Sequence, residues 1–380
     1  MEKERVFLSR PHMGGNEQKY IEDAFEKNWI APLGENVTEF ENDIKRYTGV
    51  GEALAVSSGT AAIHLALIES NVGQDDIVFC SSLTFCATSN PILYQGAQPV
   101  FIDSELDTWN MSPEALKKAF EKYEQLGQKP KAVIVVNLYG QSAQLNEIRE
   151  ICNQYDVVLI EDAAESLGSE YNGKKSGSFG DYGIYSFNGN KIITTSGGGM
   201  LVTNDKVSRD HALFLSTQAR DKAIHYEHSE LGYNYRLSNI SAGIGRGQME
   251  VLDNRVSIRR SIFEKYQQSL GNINGFEFQP EITNSKSNRW LTALTIDPEK
   301  AGFSSKDVIE ALEKENIEAR PVWKPMHLQP LYSNYDFIKL NSDNAKALFE
   351  NGICLPSSSD MQAEQQDRVI QIIKDLNSDK

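Results

Sequence analysis

The stretch Tyr185-Ser-Phe-Asn-Gly-Asn-Lys191-Ile-Ile-Thr-Thr-Ser-Gly-Gly-Gly-Met200 joins two short β-runs through a turn that carries a lysine. Most lysines in turns are solvated surface residues. Here the asparagines and the glycine before Lys191 keep the backbone tight, and the glycine triplet lets another group come close. An amine held near its neutral form in a partly dry pocket can bond an aldehyde cofactor or a carbonyl substrate. Lys191 is therefore a candidate nucleophile.

Composition and charge narrow the class of protein. The chain has 380 residues, 40% of them hydrophobic, and a formal net charge of −15. An acidic surface repels nucleic acid and anionic membranes, so neither is an expected partner. No apolar run approaches the roughly 18 residues that span a bilayer, and the first residues lack the apolar core of a signal peptide. We therefore expect a soluble globular protein in the cytoplasm.

The sequence gives no sign of a metal site. Its four cysteines are Cys80, Cys86, Cys152 and Cys354, and they show neither CxxC pairing nor a nearby histidine at metal-ligand spacing. Two histidines, His225 and His228, do have such a spacing, but no further ligand lies near them. We expect those two histidines on a helix surface or at a subunit contact.

Seven short apolar runs between residues 53 and 203 define the main fold, and helix-like segments separate the earlier ones. The runs are Ala53 to Ser57, Ile77 to Ser81, Val100 to Asp103, Ala132 to Leu138, Val157 to Glu161, Gly183 to Phe187 and Met200 to Thr203. Strands that alternate with helices imply a mostly parallel sheet covered on both faces. The prediction is an α/β fold with a seven-stranded sheet in one large domain.

The rest of the chain is predicted to form two smaller parts. Residues 1–50 are expected to be an N-terminal arm of two helices that packs on the large domain, residues 51–250. The apolar link Asn28 to Gly34 in this arm could meet a second subunit. Residues 251–380 are predicted to be a small α+β domain, with a strand at Trp290 to Ile296 and a surface loop at Tyr332 to Tyr335.

Ligands of open parallel sheets bind at the carboxyl ends of the strands. After the first strand, Gly59 and Thr60 open a helix whose N–H groups, with the threonine hydroxyl, suit a phosphate. Ser186, at the end of the sixth strand, could meet the same phosphate. No GxGxxG follows a strand, which disfavours a nicotinamide fold.

Two further strand ends leave alternatives open. Phe85 could be a plain core residue or a platform that stacks on a planar ring. Asp162 could be a helix N-cap, or its carboxylate could pair with a protonated pyridine nitrogen. Taken together, a phosphate cradle, a ring platform, a partner for a ring nitrogen and an amine match the needs of pyridoxal 5′-phosphate.

The motifs in their order along the chain also resemble those of a known family. They are Ser57-Ser-Gly-Thr60, Leu83-Thr-Phe85, Glu161-Asp-Ala-Ala-Glu165, Ser186 to Lys191, Thr194-Thr-Ser-Gly-Gly-Gly199 and Tyr233-Asn-Tyr-Arg236. This set is similar to that of the DegT/DnrJ/EryC1/StrS nucleotide-sugar aminotransferases, which are fold-type-I pyridoxal-phosphate enzymes. The resemblance extends from Pro11 to Pro356, nearly the whole chain. It implies a homodimeric transaminase with shared active sites.

The resemblance also implies roles around the cofactor ring. Lys191 would be the lysine that forms the internal Schiff base. Asp162 would pair with the pyridine nitrogen, and Phe85 would stack on the ring. Glu165, which replaces a glutamine common in the group, would lie near the phenolic oxygen of the ring.

Other residues are implied to bind the phosphate of the cofactor. Gly59, Thr60 and Ser186 would hold it within one subunit. Asn234 would reach the phosphate of the neighbouring subunit.

Departures from the common family pattern indicate a branch. Asn188, Asn190 and Ser196 stand where many members have other residues, and these variants resemble the UDP-N-acetylbacillosamine branch. Enzymes of that branch use L-glutamate, which becomes 2-oxoglutarate, to aminate C4 of a UDP-linked 4-keto-6-deoxy-N-acetylglucosamine (EC 2.6.1.34). Alternatives are another 4-keto nucleotide sugar (altrosamine or GDP-perosamine type), a dehydratase of the same sugars, and a non-catalytic pyridoxal-phosphate-binding regulator.

The segment from Arg320 to His327 resembles the sugar-nucleotide site of that branch. Arg320 could bind a carboxylate or a diphosphate, or it could form a surface salt bridge. His327 could be a packed core histidine instead of a substrate ligand. Trp323, between them, is a third candidate for substrate binding.

Overall fold

The computed structural model describes residues 4–378. Its α-helices are α1 (Glu17–Glu26), α2 (Glu35–Thr48), α3 (Gly59–Glu69), α4 (Cys86–Tyr94), α5 (Pro113–Gln125), α6 (Leu145–Gln154), α7 (Lys206–Ser216), α8 (Asn239–Met249), α9 (Leu252–Leu270), α10 (Pro298–Ala301), α11 (Ser305–Lys314), α12 (Asn344–Asn351) and α13 (Ala363–Ser378). Short 3₁₀ helices lie at Leu138–Gly140, Met326–Leu328 and Pro330–Tyr332. None of the helices in this range is long and apolar enough to cross a membrane.

The β-strands fall into one large sheet and two smaller ones. They are β1 (Glu52–Val56), β2 (Ile77–Ser81), β3 (Gln98–Ile102), β4 (Ala132–Val136), β5 (Val158–Asp162), β6 (Glu170–Tyr171), β7 (Lys174–Lys175), β8 (Tyr182–Ser186), β9 (Gly199–Thr203), β10 (Phe276–Phe278), β11 (Ser285–Lys286), β12 (Thr292–Ile296), β13 (Arg320–Pro321), β14 (Phe337–Ile338) and β15 (Gly352–Leu355).

The large sheet has the strand order β1-β9-β8-β5-β4-β2-β3-β14. Its strand pairs are parallel, except that β9 runs antiparallel to both of its neighbours. The predicted fold is confirmed, since every predicted run forms a strand of this sheet. The predicted count of seven strands is one too low, because β14 is only two residues long and shows no apolar run. As β9 is reversed, its first residue, Gly199, lies at the edge where the parallel strands end.

The large sheet is buried on both faces, as β1 shows. Leu54 and Val56 enter the hydrophobic core that also holds the residues of α3, whereas Ala53 and Ala55 enter the core around Phe40 of α2. This alternation follows from the period of two of a β-strand. A sheet covered in this way exposes its strand ends instead of its faces, so a ligand site is expected at an edge.

The C-terminal part of the chain has its own antiparallel sheet, in the order β10-β12-β15-β13. It shares a core with α9, α11 and α13, to which Val6 near the N-terminus also belongs. The helices α1 and α2 pack on α8. β14, from the same C-terminal part, extends the large sheet. The boundaries predicted at residues 50 and 250 stay predictions.

The predicted surface loop at Tyr332 to Tyr335 is wrong at its first residue. Tyr332 ends a 3₁₀ helix and is buried, and its hydroxyl donates a hydrogen bond to Asn90 Oδ1 at 2.6 Å. Its ring packs edge-on against Phe101 of β3. A single buried tyrosine in a polar segment leaves no periodic signal, so sequence patterning could not reveal it.

Candidate active site

The carboxyl ends of the parallel strands meet at one cavity. Its volume is about 390 Å³, within the usual range of small-molecule sites. Chain segments that follow β1, β2, β5 and β8 line it, together with two tryptophans from the C-terminal part. The predicted site residues among its lining are Gly59, Thr60, Phe85, Asp162, Glu165, Ser186, Lys191 and Trp323. The fold thus brings together side chains that are up to 264 residues apart in the numbering.

The start of α3 forms a cradle at one end of the cavity. Ser58 caps this helix, because its Oγ accepts a hydrogen bond from the backbone N–H of Ala61 at 3.0 Å. The first N–H groups of a helix have no intrahelical partner and attract anions. A Cβ at Gly59 would lie 3.2 Å from Ser186 Cβ, and one at Gly199 would lie 2.3 Å from the backbone of Ser58. The glycines therefore keep open a narrow anion site.

Asp162 lies at the end of β5 with its carboxyl group buried. Thr88 Oγ1 donates a hydrogen bond to its Oδ2 at 2.7 Å, and the backbone N–H of Ala164 donates to its Oδ1 at 3.1 Å. Burial raises the pKa of Asp162, while these two hydrogen bonds and the charge of Lys191 oppose the shift. The chain after Asp162 forms turns, so the alternative of a helix N-cap does not hold.

Glu165 is the carboxyl group beside the candidate nucleophile. Its Oε1 lies 3.5 Å from Lys191 Nζ, and the side chains of both residues are largely buried. The backbone N–H of Tyr139 donates a hydrogen bond to Glu165 Oε2 at 2.7 Å. Burial raises the pKa of Glu165 to about 7, although Lys191 and the Tyr139 amide favour the ionised form. Near neutral pH this carboxyl group can hold or release a proton next to the amine.

Trp290 is a second neighbour of Lys191, and the sequence analysis gives it no role. Lys191 Nζ lies 4.1 Å from the centre of the Trp290 ring, and an aromatic face attracts an ammonium group. Nζ therefore lies between a carboxyl group and an aromatic face, on a side chain that is largely buried. Trp290 comes from the C-terminal part, where no strand end pointed to the site.

Tyr139 and Thr88 are also missed by the sequence analysis. Tyr139 has φ +55°, an uncommon conformation for a bulky residue and one that clusters at functional sites. While its amide donates to Glu165, its hydroxyl accepts a hydrogen bond from the backbone N–H of Trp323 at 3.0 Å. Thr88 lies in the first turn of α4, close after Phe85. A hydroxyl group so near a strand end was the feature of the sequence that indicated a possible role in the site.

Two aromatic rings border the mouth of the cavity. Phe85 is exposed, and its ring centre lies 5.5 Å from that of Trp323. Because Phe85 also lines the cavity, the alternative of a plain core residue does not hold for it.

The structure does not bring Asn234 to this cavity. Its backbone forms a bridge with Thr217, and its Oδ1 accepts a hydrogen bond from Gln218 Nε2 at 3.2 Å. This places it on an exposed segment between α7 and α8. Its role at a neighbouring subunit stays a prediction.

Arg320 lies outside the cavity as well. It is exposed, and its guanidinium pairs with Glu318 Oε1 at 2.9 Å. It lines a smaller cavity of about 240 Å³, which shares Asn190, Trp290 and Trp323 with the larger one. The surface salt bridge considered for it is present, and the second cavity leaves its binding role as a prediction.

His327 is packed away from the cavity. Its ring stacks on Phe337 at 3.7 Å between centres, and it hydrogen-bonds with Ser82 Oγ at 2.6 Å and Asp343 Oδ2 at 3.2 Å. Burial lowers its pKa. These contacts match the alternative of a packed histidine. Among residues 4–378 no three histidine, cysteine or acidic side chains form a metal-binding group.

Comparison with known proteins assigns the family. A family model for the DegT/DnrJ/EryC1/StrS aminotransferases matches residues 11–374. The chain belongs to this family. EpsN of Bacillus subtilis (strain 168), whose name provisionally assigns it to the pyridoxal phosphate-dependent aminotransferases, is 56% identical over 374 residues, 98% of this chain and 96% of EpsN.

More distant relatives match over nearly the whole chain. GDP-perosamine synthase of Caulobacter vibrioides is 35% identical over 369 residues, 96% of either chain. Spr1654 of Streptococcus pneumoniae, provisionally named a sugar aminotransferase, matches in its pyridoxal-phosphate form with a TM-score of 0.89 and 25% identity, covering 99% of both chains. Aminotransferases of this family bind pyridoxal 5′-phosphate, and the predicted cofactor is confirmed.

Proposed function

We propose that this aminotransferase moves the amino group of L-glutamate to C4 of UDP-2-acetamido-2,6-dideoxy-4-keto-hexose. The products would be 2-oxoglutarate and a bacillosamine-type UDP-linked 4-amino sugar, the reaction of EC 2.6.1.34. The observation that carries the proposal is the position of Lys191 Nζ, in the same cavity as the start of α3 and the carboxyl group of Asp162. The branch variants Asn188, Asn190 and Ser196 support the choice of sugar.

The donor groups of the cavity fit pyridoxal phosphate. The cradle formed by Gly59, Thr60 and Ser186 would hold its phosphate, since a Cβ at Gly59 would crowd this space. Asp162, buried and fixed by the Thr88 hydroxyl, would face the ring nitrogen. Phe85 would cover the ring.

When bound, pyridoxal phosphate supplies an aldehyde that bonds amines and a ring that accepts negative charge from carbon. Asp162 keeps a proton on the ring nitrogen and so strengthens this acceptor. A positive partner at that place also favours the ionised carboxylate, which burial alone disfavours.

Lys191 would hold the cofactor through Nζ, and the amino donor would free Nζ by replacing it there. The freed Nζ then works as a general base and acid: it takes the proton from the donor's Cα and returns it to carbon. Glu165, 3.5 Å away, accepts or replaces that proton. L-Glutamate and the keto sugar react in turn at one site, so ping-pong kinetics follow.

The active form is proposed to be a homodimer with shared sites. Asn234 lies outside the cavity of its own chain, where a role toward a neighbouring subunit would place it. Exposed apolar side chains support an interface, among them Ile30 and Leu33 of the N-terminal arm and Ile224 and Tyr226 before Asn234. Exposed apolar groups of this kind mark association surfaces.

A GDP-linked sugar is the second candidate substrate. GDP-perosamine synthase of Caulobacter vibrioides, at 35% identity over nearly the whole chain, favours it. A 4-keto sugar of that type presents the same reacting carbonyl group. The residues at the strand ends would therefore serve the UDP-linked and the GDP-linked sugar alike.

The test is an assay of the purified protein with UDP- and GDP-linked 4-keto sugars and excess L-glutamate. We expect kcat/KM for the UDP-linked N-acetylated sugar to exceed that for the GDP-linked sugar at least about tenfold, a difference of about 1.4 kcal/mol. No turnover of the UDP-linked compound overturns the choice of substrate.

The role of Lys191 is tested in the same assay. Lys191→Ala should lower turnover at least about a thousandfold, the upper range for loss of a general base and nucleophile. Lys306→Ala, at a lysine that is 82% exposed, is the matched control and should retain wild-type turnover. Near wild-type transamination by Lys191→Ala would sink the proposed function.

A further inference from the structure

Trp290 contacts the reactive lysine in two ways. Its ring lies under Lys191 Nζ at 4.1 Å. Its indole N–H donates a hydrogen bond to the backbone carbonyl of Asn190 at 2.7 Å, directly before the lysine. One side chain therefore meets both the amine and the turn that carries it.

The orientation of this ring is fixed from behind. Trp290 is buried, and its backbone N–H donates to Asn288 Oδ1 at 2.9 Å. Its carbonyl oxygen accepts a hydrogen bond from the guanidinium of Arg259, a fully buried arginine. Because the backbone N–H and the carbonyl oxygen of Trp290 are both hydrogen-bonded, its ring keeps one face toward Nζ.

Trp323, the other tryptophan of the cavity, lies 6.3 Å from Trp290 between ring centres but closer to other rings. Its ring centre lies 5.5 Å from that of Phe85 and 5.2 Å from that of Tyr139. Trp323 borders the mouth of the cavity, whereas Trp290 lies beside the amine. Trp323 can therefore serve as the comparison for Trp290, because both line the cavity but only Trp290 lies beside the amine.

Proton transfer creates a charge at this place. When Nζ of Lys191 takes a proton from the donor's Cα, its lone pair forms the new N–H bond and the group becomes an ammonium. When Nζ returns the proton to carbon, it becomes neutral again. Because the Lys191 side chain is only 12% exposed, the cation depends on the groups next to it, which are Glu165 Oε1 and the Trp290 ring.

We propose that the indole face of Trp290 binds the ammonium group of Lys191 during proton transfer. Trp290 is then a positioning residue of the reaction. This inference rests on the proposed function, in which Lys191 carries the Cα proton. The ring neither gains nor loses a proton. It holds the amine at one place between two transfers and lowers the cost of its charge.

The first test is a single-turnover reaction of the holoenzyme with L-glutamate and with α-deuterated L-glutamate. Trp290→Leu removes the ring and should slow the turnover about tenfold, the scale of a desolvated cation–π contact. It should also raise the deuterium isotope effect, because proton transfer becomes more rate-limiting. Trp290→Phe keeps an aromatic face and should stay within about threefold of wild type.

A second readout does not depend on turnover. Lysines labelled with ¹³C at Cε report the ring current of a nearby indole by NMR. Among the upfield lysine signals of the cofactor-free chain, we expect one to vanish in Lys191→Ala and to lose its shift in Trp290→Leu, whereas that of Lys175, which lies over Tyr47, stays in both variants. Trp323→Leu is the matched control and should leave the Lys191 signal upfield.

The outcomes separate the two proposals. If Trp290→Leu has the wild-type rate and isotope effect, the proposed role of Trp290 is wrong. It is also wrong if Trp290→Phe is as slow as Trp290→Leu. A Lys191 signal without an upfield shift also overturns it. If the wild-type holoenzyme does not release the α-proton of L-glutamate at all, the proposed function fails instead.

Discussion

The floor and the wall of the cavity are built differently. The floor, formed by Gly59, Asp162, Ser186 and Lys191, follows strand ends of the large sheet, and its carboxyl group is held by Thr88. The wall, formed by Trp290 and Trp323, comes from the C-terminal part and offers ring faces. A fixed polar floor suits the cofactor, which every turnover shares. The two tryptophans of the separate wall can act on different groups, one on the amine and the other on the substrate, while the residues of the floor keep their positions.

Tyr139 joins the two regions. Its amide binds Glu165 beside Lys191, and its hydroxyl binds the backbone of Trp323. Glu165, beside Lys191, and Trp323 of the wall therefore share Tyr139 as a hydrogen-bond partner. The comparison can be sharpened by changing one region at a time.

After Lys191→Ala, the largest effect is expected on the floor, from Asp162→Asn. The amide keeps the size and, with its single oxygen, one of the two hydrogen bonds that Asp162 accepts, but it cannot hold a proton on the ring nitrogen. Turnover should fall by about two to three orders of magnitude, in the range of a lost acid–base group. Asp156→Asn, at a fully exposed carboxylate on the surface, is the control and should keep wild-type kcat.

The carboxyl role is contradicted if Asp162→Asn retains more than about a tenth of wild-type kcat, since one pKa unit alone is worth 1.36 kcal/mol, a tenfold change. Cofactor content, measured by absorbance, separates lost binding from lost chemistry. A fully loaded but slow variant is the expected result.

The next effect concerns Glu165, where floor and wall meet. Its pKa of about 7 predicts that wild-type kcat falls as the pH drops through about 7, because the protonated carboxyl group can no longer accept the proton from Lys191. Glu165→Gln should lower kcat about tenfold at pH 8 and should lack this step. A pH profile between 6 and 9 measures both. An unchanged step near pH 7 in the variant would assign the titration to another group.

The same carboxyl group makes a prediction for stability. A carboxyl group with a raised pKa keeps its proton longer in the folded chain than in the unfolded chain, so the free energy of unfolding falls as the pH rises from 4.5 to 7. The loss is up to roughly 3 kcal/mol. Glu165→Gln should remove this decline in cofactor-free protein, as measured by chemical unfolding at pH 5 and pH 8.

A wall prediction follows from Trp323. Trp323→Leu should raise KM for the nucleotide sugar about fivefold, which corresponds to roughly 1 kcal/mol of lost aromatic contact, with little change in kcat for the glutamate half-reaction. Tyr155→Leu removes an aromatic ring stacked on Phe120 outside the cavity and is the control. A fall in the glutamate half-reaction with an unchanged KM would show that this wall residue serves the cofactor instead.

The contrast between floor and wall also explains what the sequence could predict. Gly59, Asp162 and Ser186 follow apolar strands, and the topology of a parallel sheet brings such ends together. Trp290 lies in the loop between β11 and β12, and its contact with Lys191 depends on how the C-terminal part packs. Tyr139 acts partly through its backbone amide, which has no residue signature. Patterning along the chain carries no signal for either contact.

For His327, the resemblance to the family predicts one position and the structure shows another. The resemblance places this histidine at the sugar-nucleotide site. The structure stacks its ring on Phe337 of β14, the strand that the apolar pattern also missed. Without β14 the sequence offers no partner for the ring.

The smallest effect on catalysis is therefore expected from His327→Gln. The variant loses the stacked ring and one of two buried hydrogen bonds, with Ser82 or Asp343, so the free energy of unfolding should fall by about 1–2 kcal/mol. KM for the nucleotide sugar should stay within about twofold of wild type, less than 0.5 kcal/mol. Because burial lowers the pKa of His327, the folded chain favours the neutral ring, and the wild-type protein loses stability as the pH falls below 6.5. The variant should lose less over that interval. A tenfold rise in KM with unchanged unfolding would instead place His327 on the substrate and extend the aromatic wall to β14.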